Sequence, residues 1–214
     1  AALLPTLTDD DVVMLDLGAN RECDARNLVQ FAIMGAAYAR IVTGRERPRT
    51  RLLNIGTEET KGTEDIQAAA EALRAATGLA MDFEGYVEAD KINRGECDVV
   101  VCDGFVGNVS LKTMEGVAKM LKNMIREEAE RSWLRKLSAL LALPVFRGLK
   151  SRMDPDRYNG ASLVGLRGVV VKSHGGTTVE GFTSALEVAE VEARRNVPAL
   201  IRDALAPASS GTDA

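Results

Sequence analysis

Four stretches of the chain share one pattern, a short aliphatic or β-branched run that ends on a glycine. They are VVMLDLG at residues 12–18, RLLNIG at 51–56, DVVVCDG at 98–104 and GVVVKSHG at 168–175; residues 81–87 form a weaker fifth run. Runs that are apolar throughout suit strands covered on both faces, as in a parallel sheet. Helical patterns lie between them. Asp24 is placed to cap a helix reaching about Thr43, with Leu28, Ala32, Gly35 and Ala39 near one face. Residues 66–76 are alanine-rich and helical in propensity. Thr177 and Glu180 have capping-box spacing and open a helix expected to end near Val197-Pro198. The longest helical stretch begins near Asn108 and runs past Trp133. Alternation of strand, glycine turn and helix predicts an α/β fold. The expected form is a doubly wound, mostly parallel sheet with helices on both faces and a helical protrusion over about 108–153. Residues 1–207 read as a single α/β domain and 208–214 as a disordered polar tail.

Composition narrows the class. The 214 residues are 46% hydrophobic and 27% charged, ordinary values for a globular protein, and the 4% aromatic share is a poor match to a base-stacking surface. A formal net charge of -4 argues against a globally basic nucleic-acid binder. Cys23, Cys97 and Cys102 form no CxxC pair, so neither a disulfide framework nor a zinc site is expected; with a single histidine, His174, no multi-histidine metal site can form. No apolar run approaches the ~20 residues that span a bilayer. The expectation is a soluble cytoplasmic chain. It opens without Met and is in a strand pattern by Val12, as the later part of a longer polypeptide would be.

The polar glycine turns carry the candidate chemistry. In open α/β sheets, ligands bind beyond the carboxyl ends of the strands. Four turns are expected there: Asp16, Gly18 and Asn20 in DLGAN; Asn54, Gly56, Thr60 and Lys61 in NIGTEETKG; Asp103, Gly104, Gly107 and Asn108 in DGFVGN; and Lys172, Ser173, His174 and Gly175 in KSHGG. Glycine lets backbone N–H groups approach an anion, and the helix N-termini that follow favour negative charge. With Lys61, Lys172 and Ser173 as side-chain donors, the crevice reads as an oxyanion site. Neither GxxxxGK[ST] nor a GxGxxG after a strand is present, so ATP and dinucleotides lose support. Each turn taken alone is as well explained as a simple turn.

The strings LDLGAN, QFAIMG, LLNIGTEETKG, DVVVCDGFVGN and KSHG together closely resemble the phosphate acyltransferase family called PlsX, over nearly the whole chain from Leu3 to about Val197. The resemblance implies transfer of a fatty acyl group from acyl-[acyl carrier protein] to inorganic phosphate, giving acyl phosphate for phospholipid synthesis. It also implies a homodimer without metal or organic cofactor, and a fold similar to phosphotransacetylases and the isocitrate/isopropylmalate dehydrogenase group. Members of that family carry a further N-terminal α/β segment. By analogy with the phosphotransacetylase turn, Asp103 is the base; a capping aspartate is its plain structural alternative. Asn108 or Asn20 would donate to the developing oxyanion. Lys61 either contacts phosphate or is a solvated surface lysine, and His174 either binds or moves a proton or is structural. Glu58 and Glu59 would repel a bare anion, so at least one is expected to pair with a cation.

From Arg131 to Arg152 there is no acidic residue, while Arg131, Arg135, Lys136, Arg147, Lys150 and Arg152 are basic. Between them Leu140, Leu141, Leu143, Val145 and Phe146 surround Pro144, which is expected to break the helix and leave an apolar elbow. This reads as peripheral contact with an anionic membrane surface, as packing in a dimer, or as a dock for an acidic carrier protein. Competing functions are a short-chain acyl-CoA phosphotransacetylase, which has no need of the elbow, and a non-catalytic membrane-tethered scaffold.

Overall fold

The computed structural model describes residues 1–152, 154 and 156–209. Its centre is a five-stranded sheet of β1 (Ala2–Leu4), β2 (Val12–Leu15), β3 (Arg49–Leu53), β4 (Asp82–Val87) and β5 (Val99–Val101), in the order β1-β2-β5-β3-β4. β1 runs antiparallel along one edge, and the other four are mutually parallel. β2 and β5 are fully buried and apolar at every position, as strands covered on both faces should be.

Helices cover both faces. On one, α1 (Ala25–Thr43), α2 (Glu64–Ala75) and α7 (Val197–Ser209) pack Phe31, Ala32, Leu73 and Ile201 against Val13, Leu15, Leu52, Val99 and Val101. On the other, Leu111 and Met114 of α3 (Gly104–Glu130) and a 3-10 helix (Ala89–Arg94) cover Val12, Met14, Val87 and Val100. Asp24 caps α1 in a full capping box with Asn27, and Leu28, Ala32, Gly35 and Ala39 are all buried. At the amino ends of β3 and β5, Asp98 is 3% exposed and takes two bonds from the Arg49 guanidinium. Burial pushes its carboxyl up, but the Arg49 bonds outweigh that and hold it below the ordinary range.

Several expectations need correction. GVVVKSHG does not join the main sheet; only Val171–Lys172 (β7) is extended, antiparallel to Ala161–Ser162 (β6) in a separate ribbon. An apolar run alone cannot distinguish a central strand from half-exposed cover, and Val170 is 43% exposed. The ribbon leans on β1 through a bond from the Ser162 N–H to the Ala1 carbonyl. The helix expected from Thr177 is capped one residue later, by Thr178, and α6 (Val179–Arg194) stops at Arg195 and Asn196. Val197-Pro198 therefore opens α7 rather than ending α6, because proline is well suited to a first turn. α7 reaches Ser209, so residues 208 and 209 of the expected tail are helical; 210–214 lie outside the described residues.

The segment expected to protrude consists of three helices, with a break before Trp133 that the sequence did not suggest. α3 starts at Gly104, ahead of the expected Asn108, and ends at Glu130; Ser132 caps α4 (Trp133–Leu141). Ala142 separates α4 from α5 (Leu143–Arg152), in which Pro144 sits in the first turn. A helix ends just before Pro144, as expected, but Pro144 lies in the first turn of the next helix, where proline is well suited.

Candidate functional site

The order β1-β2-β5-β3-β4 sets the site. α1 and α2 leave β2 and β3 on one face, whereas α3 leaves β5 on the other, so the chain diverges on both sides of β5. A crevice opens at such points, at the carboxyl ends of the strands. Three of the four expected turns follow β2, β5 and β3 and so meet at this edge. The fourth, with Lys172, Ser173, His174 and Gly175, follows β7 in the ribbon beyond β1. His174 makes no hydrogen bond to Asp103, Asn108 or Lys61.

The β2 turn is closed on itself. Asp16, 5% exposed, accepts the N–H groups of Gly18 and Ala19 at 2.8 Å each and of Asn20 at 2.7 Å, plus the Asn20 side-chain amide at 2.8 Å. Burial pushes the Asp16 carboxyl up, yet these four bonds outweigh it and hold the group below its ordinary value. Asp16, Gly18 and Asn20 therefore supply their own anion, and the expectation that they bind a foreign one does not match their bonding. Asn20 also accepts the Gly104 N–H through its carbonyl at 2.8 Å.

At the β5 turn, Asp103 caps α3, accepting the Val106 N–H through Oδ1 at 2.8 Å. Gly104 and Gly107 were expected to lend N–H groups to an anion, but Asn20 and the Asp103 carbonyl take them. Their requirement is steric. A Cβ on Gly104 would lie 2.4 Å from the Asn20 carbonyl oxygen, and one on Gly107 1.8 Å from that of Asp16. Asn108 is exposed and lies against Gly18, in van der Waals range of where a Cβ would sit. Cys102 points its thiol at the Asp16 carbonyl, and half-buried Cys23 lies over that of Asn20.

The β3 turn is open. Asn54 is buried; its Oδ1 accepts the Ile55 N–H at 2.9 Å and its Nδ2 donates to the Lys61 carbonyl at 3.0 Å, closing the loop from inside. Gly62, at φ +90°, passes so close that a Cβ would lie 2.3 Å from Asn54 Oδ1, which requires glycine. The Thr60 carbonyl is held by Gln67. Among the described residues no hydrogen bond uses the Gly56 N–H, and the Lys61 ammonium has no acidic partner. Glu59 pairs with Arg74 at 3.5 Å, so one of the two glutamates finds its cation as expected. A concavity of about 520 Å³ lined by Arg47, Arg74 and Phe83 lies at the opposite, amino ends of β3 and β4. The Arg47 guanidinium is committed there to Asp82 and two carbonyls, so the three-strand edge is the better candidate.

Residues 1–200 match the family model described as "Fatty acid synthesis protein". The chain belongs to this family. It is 67% identical over 192 residues to a phosphate acyltransferase of Alcanivorax borkumensis, covering 90% of this chain and 56% of that one. Identity is 55% over 206 residues to the phosphate acyltransferase of Erythrobacter litoralis (96% and 58%) and 48% over 200 residues to that of Legionella pneumophila (94% and 58%). The chain thus spans somewhat over half the length of these relatives. Among solved structures it resembles the EutD phosphotransacetylase from Staphylococcus aureus at 17% identity and a TM-score of 0.43, over 55% of this chain and 42% of that one.

Within this family member, sequence reasoning missed Asn159 and Asp156, which organise the ribbon turn. Asn159 precedes Gly160, a pair that marks a turn, but nothing in the pattern tied it to residues fourteen to twenty-two positions later. Lys172 and Gly175 are exposed there, and Ser173 is half-buried. On the helical arm, Leu140, Leu141 and Val145 are exposed at 63%, 78% and 72%, while Leu143 and Phe146 are half-buried. Arg131 and Arg135 both pair with Glu128, a carboxylate outside the acid-free window. Lys136 and Arg147 have no acidic partner among the described residues. Among the described residues no helix is long and apolar enough to cross a membrane.

Proposed function

We propose that this chain supplies much of the site of an enzyme that transfers a fatty acyl group from acyl-[acyl carrier protein] to inorganic phosphate, giving acyl phosphate. The observation that carries the reading is a cation with no acidic partner among the described residues, Lys61, in an open turn at the switch edge, beside turns presenting Asp103 and Asn108. The relatives' shared name, phosphate acyltransferase, fits it. Phosphate is a competent nucleophile near neutral pH, so it needs chiefly to be fixed and aimed. The Gly56 N–H and Lys61 do this. A phosphate oxygen attacks the thioester carbonyl carbon, the C–O bond forms, and Asn108 donates to the carbonyl oxygen as it gains charge. The C–S bond then breaks, sulfur keeps the electron pair, and the proton that phosphate gives up ends on the carrier thiol. Asp103 relays that proton through Oδ2, because Oδ1 is committed to the helix cap.

The test traps the acyl phosphate as a hydroxamate, using the intact enzyme, acyl-carrier protein and phosphate without added metal. Asp103→Asn keeps the cap, since asparagine caps as well as aspartate, and kcat should fall by about 10²-fold or more. An equal rate for the variant removes Asp103 from the mechanism; no hydroxamate from the wild type removes the reaction.

The arm serves two further parts of this reading. Met120, Leu121, Met124 and Ile125 of α3 are exposed on a helix about 40 Å long, and pairing with a second copy would cover them. The tip, with exposed Leu140, Leu141 and Val145 beside Lys136 and Arg147, rests on an anionic membrane surface or meets the acidic carrier protein. Vesicles containing anionic lipid should retain the wild type in sedimentation and release Leu141→Glu/Phe146→Glu. Equal sedimentation of the two excludes the membrane.

A further inference from the structure

The turn that carries Ser173 and His174 hangs on one side chain. Asn159 is 8% exposed and sits before Gly160, whose φ of +115° and close passage by Ala185 hold the chain against α6. Its amide nitrogen donates to the Gly181 carbonyl at 2.7 Å, to Ser173 Oγ at 2.8 Å and to Thr177 Oγ1 at 3.2 Å. Its amide oxygen accepts the His174 N–H at 2.9 Å. The N–H donor on one side and the carbonyl acceptor on the other fix which way the amide faces. Two amide hydrogens serve three acceptors, so the longest bond is shared. Asp156 braces the same corner, accepting from Thr177 Oγ1 at 3.0 Å and Thr178 Oγ1 at 2.8 Å. One residue therefore ties both ends of the turn that follows β7 to the first turn of α6.

The clamp has a chemical consequence at the ring. With the His174 backbone held by Asn159, the Gly176 N–H reaches back and donates to His174 Nδ1 at 3.1 Å. An Nδ1 that accepts leaves the proton of the neutral ring on Nε2 of an exposed side chain. Few residue types serve in place of Asn159. Aspartate keeps the acceptor but sets a carboxylate against the Gly181 carbonyl, alanine supplies neither function, and glutamine is too long for a corner followed by Gly160.

We infer that Asn159 is a positioning residue that fixes the tautomer and aim of the His174 imidazole, so that the ring offers an Nε2–H donor to an oxyanion. The donor's use on phosphate rests on the acyl phosphate reading above and would be a second anion contact, apart from the Gly56 and Lys61 seat after β3; its geometry stands without that reading.

His174 is the chain's only histidine, so its ring signals need no assignment. Long-range ¹H–¹⁵N spectra of the neutral ring should report the Nε2–H form in the wild type. Asn159→Ala should move both ring nitrogens toward the averaged shifts of a free imidazole, and Asn159→Asp should move them part of the way, while circular dichroism shows each variant folded. A purely structural Asn159 would lower the melting temperature without changing the tautomer. Wild-type ring shifts in either folded variant overturn the inference; the aspartate variant, nearly isosteric, keeps the test available if alanine prevents folding. Inorganic phosphate, titrated into the same samples, should shift the wild-type ring signals to saturation, with half-saturation about tenfold higher in Asn159→Ala. A tautomer change in the variants with no phosphate response in the wild type upholds the positioning role and sinks the phosphate reading of this turn.

Discussion

Asp16 and Asn54 occupy the same place in two corners of the sheet, each the first residue after its strand, and they use it in opposite ways. The Asp16 carboxylate folds into its own turn and takes the N–H groups of Gly18, Ala19 and Asn20. Asn54 carries no charge; it closes its turn through the Ile55 N–H and the Lys61 carbonyl and leaves the Lys61 ammonium outward. Two glycine-bearing turns thus become a joint whose N–H groups are taken up by its own carboxylate and a turn that leaves a lysine ammonium outward, the seat proposed for phosphate. The leading residue is a carboxylate in the shorter turn and an amide in the longer one, and only the carboxylate gathers three successive N–H groups. A nest of N–H groups is an anion site only if the chain does not fill it first.

Three substitutions probe that contrast. Gly107→Ala has the largest expected effect. Its Cβ would lie 1.8 Å from the Asp16 carbonyl oxygen and 2.9 Å from Cys102 Sγ, and backbone cannot step aside. Urea denaturation should show a loss of about 3 kcal/mol. A loss below about 1 kcal/mol would mean that the joint is not tight.

Asp16→Asn comes next, at about 2 kcal/mol near neutral pH, because one amide oxygen cannot replace two carboxylate oxygens that accept four bonds. The pH dependence has a fixed sign. The folded carboxyl lies below its unfolded value, so its contribution is complete above the ordinary carboxylate value of about 3.9. It is lost as pH falls through the lower folded value. The wild-type advantage over the variant should therefore shrink on acidification, and an advantage that grows would contradict the bonding described.

Gly56→Ala should have the smallest effect on the fold. A Cβ there meets the Glu58 carboxylate at 2.6 Å and Lys61 Cγ at 3.1 Å, both on flexible side chains. Stability should change by less than about 0.5 kcal/mol. Displacing Lys61 should nevertheless raise half-saturation by inorganic phosphate several-fold in the intact enzyme. If Gly56→Ala destabilises as much as Gly107→Ala, the two corners do not differ as described.

Much of this arrangement was legible in the sequence. The buried runs of β2, β3 and β5, the weaker β4, the Asp24 cap and the buried face of α1 follow from local patterns with strong physical signals. What stayed hidden depends on partners far along the chain. Thr177 and Thr178 are equally good caps in isolation; Asp156 accepts from both hydroxyls, and only the turn's shape leaves Thr178 facing Gly181. Asn159 looks like an ordinary turn residue until Gly181 and His174 come beside it. The roles of Gly104 and Gly107 were misread for a related reason. A glycine that admits a ligand and one that admits a neighbouring carbonyl look alike in sequence, and only the Asn20 and Asp16 oxygens tell them apart.

One of the chain's thiols gives this edge a convenient address. Burial pushes Cys97 up to about 11 and Cys102 higher still, while Cys23, half-buried at the mouth, is raised less. Of the chain's three thiols, a maleimide dye at mild pH should find Cys23 alone. A fluorophore attached there would sit beside Asn20 and Asp103, reporting on whatever enters the crevice without any engineered cysteine.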